Sequence, residues 1–176
     1  MDVILVRHAV AMDREEAKGR GLLDRDRPLT DKGQWRMRRV ARGLSKCIPD
    51  VSTLITSPFR RALETAEILQ RQFKGTKLSE TDALLPEADP TELAQLLAER
   101  SAQLDRPRSG ARVAPPIVVG HEPHLSSWMS WALTGETSSS FELRKGGACL
   151  LRFEAAPGPR LGRLLWLLTP AVLRRL

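Results

Sequence analysis

The sequence lacks tyrosine altogether and contains only two cysteines among its 176 residues, while aromatic residues together make up 5% of it. Cys47 and Cys149 are isolated and show no C-x-x-C spacing, which argues against a disulfide framework and against a zinc knuckle. The arginines are dispersed, and no basic stretch is interleaved with stacking aromatic residues. Specific binding of nucleic acid is therefore not expected, although the formal net charge is +7.

Long apolar runs and targeting signals are also lacking. The longest apolar runs, Val3–Val6 and Ile117–Val119, are far too short to span a bilayer. Met1 leads directly into the first of these runs, without a basic n-region or a cleavage signal. We therefore expect a cytoplasmic protein with no membrane partner.

Size and composition are typical of one globular domain. Apolar residues make up 41% of the chain and charged residues 28%, which is ordinary for a folded protein. The sequence shows no internal repeat, low-complexity tract or linker, so we predict a single domain over residues 1–176. Lysine and arginine outnumber aspartate and glutamate by 28 to 21, and a basic surface attracts phosphorylated partners.

Short apolar runs alternate with stretches of helical periodicity along the chain. The predicted strands are Val3–Val6, Leu54–Thr56, Lys77–Glu80 and Ile117–Gly120, followed by an antiparallel hairpin of Ala148–Phe153 and Leu164–Leu168. Strands that alternate with helices form a mostly parallel sheet with helices on both faces. The expected fold is therefore a three-layer α/β/α sandwich with a mostly parallel central sheet.

Boundary residues indicate where helices and loops begin. Thr30 is the expected N-cap of a helix that ends before Pro49. Ser57, which a proline follows, is the expected N-cap of the next helix. Two polar segments, Met12–Asp26 and Arg106–Pro116, are predicted to be surface connections without regular structure.

A histidine follows the first predicted strand directly, in the sequence Arg7-His8-Ala9. Ligand sites of open α/β sheets lie at such strand ends, because the loops there diverge while the strands hold them in register. Neutral imidazole is a competent nucleophile toward phosphorus, and a neighbouring guanidinium binds phosphate oxygens. Taken alone, however, such a pair is more often a surface charge beside a capping histidine.

Two further elements carry candidate phosphate ligands. Arg61 lies in the first turns of the helix after the second strand, where the helix N-terminus favours an anion, and it shares a face with Thr65. His121 follows the fourth strand. Each residue by itself could be a solvated or packed side chain. Because His8, Arg61 and His121 lie at the ends or starts of three α/β units, they can converge on one phosphate-sized site.

Together these motifs resemble the signatures of the histidine phosphatase superfamily, which includes the phosphoglycerate mutases. The motifs are Arg7-His8, Ser57-Pro-x-x-Arg61-Ala-x-x-Thr65-Ala66 and Gly120-His121. The small size, Arg27-Pro28-Leu29-Thr30-x-x-Gly33 and Leu85-Pro86-Glu87 are similar to the SixA-type phosphohistidine phosphatases. The resemblance implies a phosphoglycerate mutase-like fold without a large cap insertion.

The resemblance also implies a covalent mechanism that needs no metal and no other cofactor. His8 would accept the phosphoryl group, Arg7, Arg61 and His121 would hold its oxygens, and water would then free the enzyme. Arg27 would contribute to substrate binding. The implied substrate is phosphohistidine on a protein partner, such as a phosphohistidine domain or a phosphocarrier, or another small exposed phosphoryl group.

Two features depart from the family's pattern. Ala9 stands where the family usually has glycine, so the backbone there must tolerate a β-carbon. The acid that protonates an alcohol leaving group in many members has no firm counterpart, and Glu87 and Asp89 are the nearby candidates. Imidazole, with a pKa near ~6.5, leaves more readily than an alkoxide, so a weak or missing acid favours phosphohistidine as substrate.

Three other interpretations remain open. A small-molecule phosphomonoesterase of the same superfamily would use the same residues. A metal site of His8, His121 and His124 is conceivable, but it leaves Arg7 and Arg61 unexplained, since two cations would repel a metal dication. A module that binds phosphate without turnover would keep the pocket and never carry phosphate on His8.

Overall fold

The computed structural model describes residues 1–103 and 113–176. Most of the predicted connection Arg106–Pro116 lies outside the described residues. Its last four residues, 113–116, have no regular structure and lead into a buried strand.

Six strands form one central sheet: β1 (Asp2–Arg7), β2 (Thr53–Thr56), β3 (Lys77–Glu80), β4 (Ile117–Gly120), β5 (Ala148–Phe153) and β6 (Gly162–Leu168). Their spatial order is β3-β2-β4-β1-β5-β6. The first four strands pair in parallel, whereas β5 is antiparallel to both β1 and β6. The predictions of a mostly parallel sheet and a C-terminal hairpin are thus confirmed.

The helices in the described residues are α1 (Arg14–Gly19), α2 (Asp31–Cys47), α3 (Arg60–Gln72), α4 (Pro90–Gln103), α5 (His124–Thr134) and α6 (Pro170–Leu173). Two short 3-10 turns lie at Asp24–Asp26 and Asp82–Leu84. Within these described ranges no helix combines the length and the apolar character needed to cross a bilayer.

Alternate residues of each strand face two separate apolar cores. In β1, Ile4 and Val6 pack into one core with buried residues of α2, α3 and α6. Val3 and Leu5 pack into the other with buried residues of α4 and α5. All four side chains are fully buried. This burial on both faces explains the continuous apolar run and confirms the three-layer α/β/α sandwich.

Helix boundaries confirm one sequence prediction and correct two. Thr30 caps α2, since its hydroxyl accepts a hydrogen bond from the Gly33 backbone N–H at 3.0 Å. Ser57 does not cap α3, which begins at Arg60. The predicted loop Met12–Asp26 contains α1, which the sequence pattern does not indicate because Ala17 is its only buried residue. The Asp13 side chain caps α1 by accepting from the Glu15 backbone N–H at 2.9 Å.

Candidate active site

The candidate site lies where three neighbouring parallel strands end. His8 follows β1, Ser57 follows β2 and His121 follows β4. Backbone hydrogen bonds continue past the strands, from His8 N–H to the Gly120 carbonyl and from Ser57 N–H to the Val119 carbonyl, each at 3.0 Å. The register of the sheet therefore brings these residues together, and His8 and His121 are two of the three that the sequence predicts to converge.

His8 is buried and held in one orientation. Its ring nitrogen Nδ1 lies 2.7 Å from the Ala9 carbonyl oxygen, which can only accept, so Nδ1 carries the proton. The lone pair of the neutral ring is then on Nε2. Burial, followed by the positive charges of Arg61, Arg7 and Lys145, lowers the pKa of His8 to about 3 although the bond to Ala9 raises it. The imidazole is therefore neutral at physiological pH.

The segment after His8 is fixed by a threonine of α3. The Ala9 backbone N–H donates to the Thr65 hydroxyl at 3.0 Å, and that hydroxyl donates to the Arg61 carbonyl at 2.6 Å. Among described nonglycine residues only Arg160 has a positive φ, so Ala9 adopts an ordinary backbone conformation. Alanine in place of the family's glycine is thus accommodated without backbone strain.

Arg61 enters the site from the first turn of α3, and its side chain is only 3% exposed. Nη1 donates to the Asp24 carbonyl at 2.7 Å, and Nη2 lies 3.1 Å from the Asp24 carboxylate. The guanidinium also lies 4.9 Å from the centre of the Phe59 ring. Its Nε is buried and has no hydrogen-bond partner in the described residues. One buried donor of Arg61 is therefore available to an anion.

Arg7 and Arg27 are held by backbone carbonyls. Arg7 donates through Nη1 to the Leu143 carbonyl at 2.6 Å, and its buried Nε has no partner within residues 1–103 and 113–176. Arg27 donates through Nη1 to the Met12 carbonyl at 2.7 Å and through Nε to Asp24 at 3.0 Å. Arg27 thus contributes positive charge and has two of its donors occupied.

His121 faces His8, with 5.1 Å between the ring centres. Its Nε2 lies 2.8 Å from the Ser57 hydroxyl, and its buried Nδ1 has no partner among the described residues. Burial, together with the nearby positive charge of Arg61, lowers the pKa of His121 to about 2. This ring is also neutral at physiological pH, so it offers a hydrogen bond rather than a charge.

Sequence reasoning missed two residues of this cluster and assigned the wrong role to a third. Asp24 carries no motif signal, since it lies in a segment of mixed charges. Lys145 lies next to Gly146, whose backbone N–H donates to the carbonyls of Arg7 and His8 at 3.0 and 3.2 Å. Ser57 belongs to the motif that the sequence offered, but its hydroxyl partners His121 instead of capping the helix.

The remaining candidates lie outside the cluster of His8, Arg61 and His121. Glu87 and Asp89 are exposed and line a pocket of about 380 Å³ together with His124. No group of three His, Cys, Asp or Glu side chains in the part of the chain that the structure describes is arranged to hold a metal ion. The geometry therefore gives no support to a three-histidine metal site.

The fold and the cluster of histidines and guanidiniums at the strand ends define a phosphoglycerate mutase-like protein. The chain belongs to the histidine phosphatase superfamily, whose branch 1 model matches residues 3–116. A protein of Picosynechococcus sp. with no characterised function is 33% identical over 156 residues, which is 89% of this chain and 87% of that protein. The predicted superfamily is confirmed, and the matched residues include the Arg7-His8 and Ser57–Ala66 motifs.

Solved structures share the fold at low sequence identity. The protein histidine phosphatase SixA complexed with tungstate is 21% identical, with a TM-score of 0.77 over 98% of this chain and 99% of that chain. A mycobacterial glucosyl-3-phosphoglycerate phosphatase is 14% identical, with a TM-score of 0.70 over 96% and 98%. The phosphoserine phosphatase of Entamoeba histolytica is 16% identical, with a TM-score of 0.60 over 96% of both chains. The fold is common to proteins with different phosphorylated substrates.

Proposed function

We propose that the protein is a metal-independent phosphatase that forms a covalent intermediate on His8 and acts on phosphohistidine. The observation that carries the proposal is the orientation of the His8 ring. Because Nδ1 donates to the Ala9 carbonyl, the nucleophilic lone pair is fixed on Nε2, in a ring that burial keeps neutral.

The donors around His8 fit a phosphoryl group, with the Ser57 hydroxyl donating to His121 Nε2 so that Nδ1 of that neutral ring carries the proton. Arg7 Nε, Arg61 Nε and His121 Nδ1 are all buried, and none has a partner among the residues that the structure describes. Buried donors are normally satisfied, and phosphate oxygens are strong acceptors for guanidinium N–H groups. We assign these three residues to the non-bridging oxygens, whose charge they stabilise during transfer.

The reaction consists of two displacements at phosphorus. His8 Nε2 forms a bond to phosphorus while the bond to the leaving imidazole breaks, and the leaving ring departs neutral if its other nitrogen is protonated. Water then attacks the phosphorus, the bond to Nε2 breaks, and both water protons remain on the product phosphate. His8 regains its lone pair, and neither displacement changes the total charge.

The available acids favour a nitrogen leaving group. Asp89 accepts hydrogen bonds from the Thr91 hydroxyl and backbone N–H at 2.6 and 2.7 Å, and these bonds lower the pKa of the Asp89 carboxyl. A carboxylate that is ionised at neutral pH does not protonate an alkoxide, whereas imidazole needs no such acid. Phosphohistidine is therefore the preferred substrate class.

The proposal is tested by phosphate release from a phosphohistidine protein, a sugar phosphate and an aryl phosphate, with and without a chelator. We expect the phosphohistidine protein to be hydrolysed fastest and the chelator to have no effect. His8→Ala should abolish turnover, and rapid quench of the wild type should trap phosphate on His8. Faster hydrolysis of the sugar phosphate would instead indicate a small-molecule phosphomonoesterase, and the absence of trapped phosphate would indicate a binding module.

Two adjacent arginines provide a matched control. Arg61 is buried in the site, whereas Arg60 is exposed and pairs with Glu64 at 2.8 Å. Arg61→Ala should lower kcat by about 100-fold or more, because it removes a donor that stabilises transition-state charge. Arg60→Ala should change kcat less than about twofold, as expected for an exposed ion pair. Equal effects of the two substitutions would contradict the assignment of Arg61.

A further inference from the structure

A pocket lies beside the candidate active site, where α5 begins. His121, before this turn, faces His8. His124, after it, lines a pocket of about 380 Å³. The remaining lining residues are Pro86, Glu87, Ala88, Asp89, Pro90, Pro123, Ser127 and Thr137. The two histidines are three positions apart, so this pocket adjoins the cluster around His8.

His124 is the only buried polar side chain among the residues that line this pocket. It is 3% exposed, and neither of its ring nitrogens has a hydrogen-bond partner in the described residues. Burial lowers the pKa of His124 to about 4, so the ring is neutral and one nitrogen is an acceptor. A buried imidazole without partners is costly unless a ligand supplies them.

The charge at the pocket is negative, in contrast to the protein as a whole. Glu87 and Asp89 line it, and none of the residues that line it is a lysine or an arginine. Asp89 is fixed by its two hydrogen bonds from Thr91, and its charge acts on His124. With a formal net charge of +7, this chain would attract anions to most of its surface, but not to this pocket.

We propose that this pocket binds a guanidinium or ammonium group on the part of the substrate that is not transferred. The cation would face the carboxylates of Asp89 and Glu87 and donate to the neutral ring of His124. The assignment to substrate rests on the proposed function, because it uses the position of the pocket beside the phosphoryl site. The favoured substrate is then a phosphorylated segment with a lysine or arginine near the phosphorylated residue.

Binding is measured by NMR titration of the histidine ring signals with Nα-acetyl-arginine amide. The chain contains three histidines, so His124→Ala identifies the His124 signal. Nα-acetyl-citrulline amide is the matched ligand, since a neutral urea replaces the guanidinium. We expect a saturable shift of His124 with the arginine ligand and at least about fivefold weaker binding of the citrulline ligand, in line with loss of a surface ion pair.

Substitutions of the exposed carboxylates test the cation pocket without changing His124 itself. Asp89→Asn and Glu87→Gln should each weaken binding of the arginine ligand by about threefold. Glu99→Gln, an exposed carboxylate on α4 that does not line the pocket, is the control and should leave the affinity unchanged. No saturable shift of His124, equal affinity for both ligands, or equal effects of all three substitutions would overturn the proposal.

A hydrolysis assay distinguishes failure of the cation pocket from failure of the proposed phosphatase function. If the wild type hydrolyses an aryl phosphate but His124 does not respond to the arginine ligand, the cation pocket is wrong and the phosphatase assignment stands. If His124 binds the guanidinium as expected but no phosphorylated compound is hydrolysed, the pocket stands as a cation site and the phosphatase assignment fails.

Discussion

Asp24 binds the guanidinium of Arg61 at two points, one through its backbone carbonyl and one through its carboxylate. The same carboxylate lies 3.0 Å from Arg27 and 3.2 Å from Arg14. Burial raises the pKa of Asp24, but the charges of Arg61, Arg27 and Arg14 outweigh burial and hold it below its usual value. Asp24 therefore remains ionised and offsets the repulsion among the cations of the site.

Asp24→Asn should lower kcat/KM by about tenfold, because a guanidinium that loses its charged partner is less well positioned toward phosphorus. The control is Asp26→Asn, since Asp26 belongs to the same 3-10 turn and is 3.8 Å from the exposed Arg25. We expect kcat/KM of this control to stay within about twofold of wild type. If the two variants hydrolyse substrate equally well, Asp24 has no role in positioning Arg61.

Thr65→Val removes the hydroxyl that joins the Ala9 backbone to the Arg61 carbonyl. The free energy of unfolding should fall by about 1–3 kcal/mol, because the Ala9 N–H loses its partner in a buried site. Thr65→Ser keeps the hydroxyl and should recover at least half of that loss. Urea denaturation of the two variants measures the difference, and equal stabilities would argue against the hydrogen bond.

Three buried neutral histidines predict that stability depends on pH. Burial lowers the pKa of His8 to about 3, of His121 to about 2 and of His124 to about 4. The unfolded chain takes up these three protons near pH ~6.5, whereas the native state takes them up only in stronger acid. The free energy of unfolding should thus fall as pH falls below ~6.5, by up to about 1.4 kcal/mol per pH unit for each histidine.

The check is denaturation at several pH values between 8 and 5, for the wild type and for His8→Asn. The variant should show about two thirds of the wild-type slope, since one of three histidines is removed. A free energy of unfolding that stays constant from pH 7 to pH 5 would show that the rings are not held neutral.

Alanine substitutions at Gly33 and Gly43 on α2 distinguish an effect on stability from an effect on activity. A β-carbon at Gly33 would lie 2.0 Å from the Val10 carbonyl oxygen, two residues after His8. A β-carbon at Gly43 would lie 1.8 Å from the Leu173 carbonyl oxygen in α6. We expect both alanine variants to lose about 1–3 kcal/mol of stability through overpacking. Only Gly33→Ala should also lower kcat, because it displaces the segment that follows the nucleophile.

The position of His8 at the edge of the sheet could be predicted from the sequence because the local signals agree with one another. A continuous apolar run can be covered on both faces only in the middle of a sheet, and His8 comes directly after it. His121 ends a second such run, and parallel strands bring their carboxyl ends to one edge. Arg61 joins them because it lies in the first turn of α3, which begins shortly after β2 ends.

The partners of these residues could not be predicted, because they come from segments without periodicity. Asp24 and Arg61 are 37 residues apart, and the Leu143 carbonyl that binds Arg7 is 136 residues away. Two roles were possible for the Ser57 hydroxyl, as an N-cap of the helix or as a partner of His121. Its hydroxyl has the chemistry of an N-cap, but a buried imidazole nitrogen lies within reach, and the helix begins three residues later.

Because Asp24 binds the guanidinium of Arg61, one part of the site depends on the sheet and another depends on a segment outside the sheet. His8 directly follows a central strand, whereas the Asp24 carboxylate that binds Arg61 belongs to a segment outside the sheet. Substitutions at the exposed positions of residues 13–26, with the buried Ala17 kept, should therefore change turnover more than they change the melting temperature. Directed evolution of turnover can begin with this segment and leave the sheet unchanged.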